Sequence, residues 1–95
     1  MFHSRTMIMS RHGFIGTGQY SSKWLGEYDA EWDDLKRSMI ASVEMSMFGY
    51  SMAGADVCGF DDDEFDADLC ENWIKAGAML PMMKLSVNSD SPDDV

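Results

Sequence analysis

The segment from Trp24 to Phe60 constrains the fold of this chain more than any other. It sets a carboxylate behind a glycine (Trp24-Leu25-Gly26-Glu27), then an acidic helix start (Trp32-Asp33-Asp34-Leu35), a stop at Phe48-Gly49, and a short run closing on Gly54-Ala55-Asp56-Val57-Cys58-Gly59-Phe60. Loop, helix and strand follow one another, with acids at their ends. Apolar residues at Trp32, Leu35, Met39, Ile40, Val43 and Met47 recur at helical spacing and predict one buried stripe. Asp29 suits the N-cap, while Glu31, Asp33 and Asp34 suit the solvated, positive end of the helix dipole. Gly49 stands where a left-handed C′ residue would end the helix.

The flanks extend the pattern. Thr6 to Ser10 is a short apolar run suited to a buried strand, although so few residues do not separate strand from helix. Arg11 to Ala30 carries Gly13, Gly16, Gly18 and Gly26 among Ser, Thr and Tyr, which is loop composition. Ser51 to Ala55 reads as a buried parallel strand. Asp61-Asp62-Asp63-Glu64 reads as a solvated, helix-capping run before a second helical pattern at Phe65, Leu69, Trp73, Ala76, Gly77 and Leu80, ended by Pro81. Residues 86–95 hold little to bury and are expected to form a disordered acidic tail. About two βα units result, hence an α/β fold with a parallel sheet covered by helices.

Composition removes several function classes. With 17 acidic and 7 basic residues the formal charge is -10, which repels phosphate and excludes nucleic acid as a partner. No run is long enough to cross a membrane. The start at Met1 has basic residues but no apolar core of signal-peptide length, so either the protein is not secreted or its true N-terminus lies upstream, the second being preferred. Gly13-Phe14-Ile15-Gly16-Thr17-Gly18 has the wrong glycine order for a dinucleotide fingerprint and lacks the Lys-Ser/Thr of a phosphate loop. Asp61 to Asp68 lacks the turn glycine and terminal Glu of a calcium loop. Cys58, Cys70, His3 and His12 have no zinc spacing. Neither a metal nor an organic cofactor is expected, and the ten methionines read as adaptable core filler.

Read alone, Arg11 suits a loop cap, Trp24 a core aromatic, and Asp56 a structural acceptor, since a buried carboxylate after a strand must be satisfied. A longer run of motifs gives these residues positions. Ser10-Arg11-His12-Gly13-Phe14, Gly18-Gln19-Tyr20, Lys23-Trp24-Leu25-Gly26-Glu27, Trp32 to Leu35, Gly54 to Phe60, Leu69-Cys70-Glu71-Asn72-Trp73 and Gly77 to Lys84 occur in this order. Together they resemble the catalytic barrel of the family 31 glycoside hydrolases, the α-glucosidases of the maltase and sucrase–isomaltase type. The likeness spans residues 6 to 84. It implies a partial (β/α)8 TIM barrel over residues 1–85, because a complete barrel needs roughly 250 residues. The rest of the barrel would lie outside this chain, and isolated folding would be marginal.

That resemblance also implies chemistry. Retaining hydrolysis of an α-glucoside or oligosaccharide uses one carboxylate to attack the anomeric carbon and another as general acid, then base. Glu27 falls at the acid/base position. Arg11 would bind sugar hydroxyls and hold that carboxylate, Trp24 would pack on the sugar, and Asp56 and Phe60 would shape the pocket floor and entrance. Cys58 and Cys70 stand where the family forms a disulfide, which implies a secretory setting (extracellular, lysosomal or endoplasmic reticulum) for the parent protein. Four features depart from the family. Its Trp-x-Asp-Met-Asn-Glu nucleophile motif is absent, Glu27 replaces Asp, Lys23 replaces His before Trp24, and Leu85-Ser86 replaces the Asn-His that binds sugar. These departures make a catalytically inactive paralogue, or a truncated product active only in carbohydrate or protein binding, the alternatives to an enzyme.

Overall fold

The computed structural model describes residues 4–59 and 66–85. Phe60, the acidic run that follows it and the tail expected over residues 86–95 lie outside the described residues. Among the described residues, five short strands and two α-helices follow one another: β1 (Met9–Ser10), β2 (Ser22–Trp24), α1 (Trp32–Met47), β3 (Ala53–Gly54), β4 (Asp56–Val57), α2 (Ala67–Gly77) and β5 (Lys84–Leu85). All pairings are parallel. Met9 faces Ser22 and Ser10 faces Lys23 across β1–β2, while Lys23 faces Ala53 and Trp24 faces Gly54 across β2–β3. Asp56 faces Lys84 and Val57 faces Leu85 across β4–β5. Only Ala55 separates β3 from β4, so one path of chain pairs first with β2 and then with β5. Parallel neighbours need long crossovers: α1 carries the chain from β2 to β3, α2 from β4 to β5, and a loop with a single 3-10 turn at Thr17–Gln19 from β1 to β2.

Two strands lie where the sequence suggested otherwise. Ser22–Trp24 sits inside the glycine-rich span read as loop, and Lys84–Leu85 follows the Pro81 stop. Neither has a local strand signal of useful length. Each exists because flanking chain offers it a parallel hydrogen-bonding edge, a tertiary influence that overrides propensity.

Helix α1 begins and ends near its expected bounds, but its faces differ from the expected stripe. Leu35, Ser38 and Ser42 are buried, Met39 is partly buried, and Trp32, Ile40, Val43 and Met47 are exposed. The helix lies against β3, where Ala53 and Gly54 allow close approach. Serine suits that contact because it is small and satisfies its own hydroxyl within the helix. Ser38 Oγ donates to the Leu35 carbonyl at 2.8 Å and Ser42 Oγ to the Ser38 carbonyl at 2.7 Å. The larger side chains at Ile40, Val43 and Met47 therefore fall on the opposite face. The N-cap also differs: Glu31 occupies it without a side-chain cap, and Asp29 is not the cap. At the other end Gly49 N–H bonds the Ser46 carbonyl and Tyr50 N–H the Met45 carbonyl, a Schellman closure with Gly49 at φ 89°.

Helix α2 is capped by Asp66, whose Oδ1 accepts the Asp68 and Leu69 N–H groups at 3.0 and 3.1 Å. It turns Leu69 and Trp73 onto Val57 of β4 and Leu35 of α1, and Tyr28, Ala30, Met39, Cys58 and Ala76 pack around them. The disulfide is present: Cys58 and Cys70 have Cα atoms 4.5 Å apart, within the usual bridging range. It ties the end of β4 to the first turns of α2, where Cys58 holds a left-handed φ of 73°. No described helix is long and apolar enough to cross a membrane. Replacing both cysteines with serine is expected to lower stability by about 3 kcal/mol, the entropy released by opening a loop of this length. Urea unfolding under non-reducing conditions checks this, with the midpoint falling; an unchanged midpoint would deny the clip a stabilising part.

Candidate active site

Because every strand runs the same way, the ends of β1 and β2 and the path through β4 and β5 bring four side chains to one edge. Arg11 directly follows β1, Trp24 closes β2, Asp56 opens β4 and Lys84 opens β5. Asp56 lies two residues beyond Gly54, the register partner of Trp24, and so sits just past the end of β2. Its carboxylate is fully buried. Trp24 Nε1–H donates to Asp56 Oδ2 at 3.3 Å, and Lys84 Nζ pairs with Asp56 Oδ1 at 2.5 Å. The same ammonium lies 4.8 Å from the centroid of the Trp24 ring. Arg11 Cζ stands 5.8 Å from that centroid. One indole is thus held through its N–H by a carboxylate and through its π-system by two cations, both within cation–π reach.

Gly26 makes room for the arginine. It has φ 101°, and a Cβ there would stand 3.2–3.3 Å from the Arg11 guanidinium atoms. Any other residue would be strained by the backbone and would crowd Arg11. Lys23 secures the same arginine from behind, donating its Nζ–H to the Arg11 carbonyl. The Lys23 ammonium also stands 5.7 Å from the Tyr50 ring centroid.

The loop between β2 and α1 carries Glu27, and it is tied at both ends. Leu25 N–H donates to the Gly54 carbonyl at 2.9 Å, and Asp29 N–H donates to Asp34 Oδ2 at 3.0 Å. Asp34 Oδ1 accepts from Arg37 at 2.9 Å. Asp34 is therefore buried and structural, contrary to its expected place on the solvated start of α1. A turn off the first helical coil, with Arg37 one turn on, directs it under the loop instead. Glu27 is exposed between these two ties. Its neighbour Tyr28 packs against the core, and burial first, then the Asp34 charge, push its phenol above the ordinary value of 10.0, with Arg37 pulling the other way.

Of the residues singled out from sequence, Arg11, Trp24 and Asp56 are gathered around one indole. Glu27 follows Gly26, which touches that cluster. Phe60 lies outside the described residues. Lys84 and Asp34 were not anticipated as site or loop anchors. No local signal marked Lys84, since its pairing with Asp56 depends on the β4–β5 register; for Asp34 the available signal was an arginine three residues on.

The profile described as the glycosyl hydrolases family 31 TIM-barrel domain matches residues 2–94. The chain belongs to this family. It is 38% identical over 80 residues to the probable maltase-glucoamylase 2 of Homo sapiens, spanning 84% of this chain and 3% of that protein. With the alpha-xylosidase 1 of Arabidopsis thaliana it shares 36% identity over 88 residues, 93% of this chain and 10% of that one. The chain thus spans a tenth or less of the length of these curated relatives. Among solved structures, a cycloalternan-degrading enzyme from Trueperella pyogenes superposes with a TM-score of 0.80 at 24% identity, covering 90% of this chain and 12% of that one. An alpha-1,4-glucan lyase from Gracilariopsis lemaneiformis superposes at 0.78 and 24% identity, over 85% of this chain and 9% of that one. These two share the fold, and the parallel strands belong to a TIM-barrel domain.

Two outcomes are expected. Asp34→Ala removes a charged acceptor from a backbone N–H and from Arg37, which should cost about 1.5–3 kcal/mol in thermal or urea unfolding; a loss near zero would show the loop is not tied there. Tyr28 should ionise later than ordinary tyrosines in an absorbance titration, and Tyr28→Phe should remove that late component. The raised phenol favours the folded state at pH below 10.0, and this stability is lost as pH climbs through the raised folded value.

Proposed function

We propose that this chain supplies the acid/base side of a retaining α-glucosidase site, with Glu27 as the general acid and then base. The convergence of Arg11, Trp24 and Asp56 at the strand ends, with Glu27 one residue beyond Gly26, supports this most strongly. In the first step Glu27 gives its proton to the leaving glycosidic oxygen as a second carboxylate, contributed from outside this chain, attacks the anomeric carbon. In the second step the ionised Glu27 takes a proton from water, which attacks the same carbon and releases the sugar. Arg11 binds sugar hydroxyls and steadies the carboxylate, Trp24 offers a ring to the sugar face, and Asp56 anchors that ring from the floor. The substrate is an α-glucoside or oligosaccharide, and the disulfide fits a secretory compartment.

A second reading, an inactive paralogue that binds carbohydrate, draws on one feature in particular. Glu27 is one methylene longer than the aspartate expected there. Retaining sites need carboxyl groups about 5–5.5 Å apart, and a ~1 Å displacement costs on the order of 100-fold in rate.

The isolated chain should not turn over an aryl α-glucoside above a Glu27→Gln control. In a complete barrel carrying residues 6–84, Glu27→Gln should slow alkyl α-glucosides by at least about 100-fold, the usual worth of a general acid. Activated aryl substrates should suffer far less in their glycosylation step. Equal loss on both classes would make Glu27 structural, and an inert parent barrel would favour the paralogue.

A further inference from the structure

We propose that Lys84 is the positioning residue that fixes the angle of the Trp24 ring at the mouth of the site. The proposal rests on the active-site reading above for its relevance to sugar, but not for its geometry. Three observations converge on it. The Lys84 ammonium reaches Asp56 Oδ1 at 2.5 Å and stands 4.8 Å from the Trp24 centroid. The second oxygen of the same carboxylate accepts the Trp24 indole N–H at 3.3 Å. Asp56 has no exposed side-chain surface, whereas the Lys84 side chain keeps 28% exposure.

The consequence is a closed triangle of lysine, carboxylate and indole. A buried carboxylate needs a counter-charge, and Lys84 provides one. Ionised, Asp56 is an acceptor-only group, so its second oxygen draws the indole N–H rather than competing as a donor. The ammonium then lies over the ring that its own partner holds by the edge. Rotation of the indole must break the bond to Asp56 and the contact with Lys84 together, so the ring angle is fixed twice. A cation reaching in from β5 makes this possible by taking one carboxylate oxygen and leaving the other to the indole. Trp24 as a sugar platform would therefore depend on a residue from β5 that need not touch the sugar.

The test uses a labelled complete barrel carrying residues 6–84, with the Trp24 indole N–H resonance assigned by its loss in Trp24→Phe. Lys84→Met should speed solvent exchange of that indole proton by about tenfold, as expected for loss of one supported hydrogen bond. Lys84→Arg should restore most of the protection, and the exchange of the core Trp73 indole should not change in either. Equal Trp24 exchange in wild type and a folded Lys84→Met chain would overturn the proposal. If Lys84→Met does not fold, cross-relaxation between the Lys84 ε-methylene and the Trp24 ring in wild type decides: its presence supports the triangle, and its absence overturns it. A second arm titrates maltotriose. Weaker binding in Lys84→Met with rescue in Lys84→Arg ties the triangle to sugar. A loosened indole in a chain that binds no maltotriose upholds the positioning and fails the glucosidase reading instead.

Discussion

The buried carboxylate of Asp56 is the constraint around which the functional edge is built. Fully buried, and flanked in register by Lys84, it cannot stand as a lone charge. Its two oxygens draw together the end of β2, through the Trp24 indole, and the start of β5, through the Lys84 ammonium. These strands belong to separate hydrogen-bonded ladders, one on each side of the β3–β4 path. The carboxylate thus fastens the two ladders together at the strand ends, the side on which parallel barrels carry their chemistry.

A second layer holds the loop of Glu27 to this frame. The loop leaves β2 hydrogen-bonded to Gly54, passes the positive-φ turn at Gly26 that receives Arg11, and is recaptured by Asp34 at the start of α1. Beneath it lies the small core of Leu35, Val57, Leu69 and Trp73, with Tyr28 and Ala30 from the loop itself packed against it. The disulfide closes the far side by joining the end of β4 to α2. Packing and hydrogen bonding therefore hold the β2–α1 loop at both ends and from below.

Much of this was legible in the sequence, for identifiable reasons. The C-terminal end of α1 was readable because Gly49 ends it through a left-handed residue, a local rule that tertiary structure seldom overrides. The pairing of Cys58 with Cys70 and the grouping of Arg11, Trp24 and Asp56 came from motif order, which carries three-dimensional information that periodicity does not. What stayed hidden depends on partners distant in sequence. Ser22–Trp24 is a strand only because β1 and β3 flank it. The expected stripe of α1 picked its largest apolar residues, while the sheet face went to Ser38 and Ser42 because Ala53 and Gly54 bring the helix close. Asp34 read as a solvated acid and is buried, since the N–H it receives comes from a loop that doubles back. Lys84 looked like one basic residue among few until β5 set it beside Asp56.

The central claim is that these strand ends form one half of a sugar-binding acid/base site. The most direct measurement is a residue-by-residue map of chemical-shift changes in the labelled chain as maltose is added to high concentration. The account predicts that the Arg11 side chain, the Trp24 indole and the backbone amides of Gly26 and Glu27 shift together along one binding curve. Signals from the opposite end of the sheet, at Thr6, Gly18 and Ser51, should stay still. Shifts confined to that opposite end, or none at the Trp24 indole at saturating sugar, would contradict it.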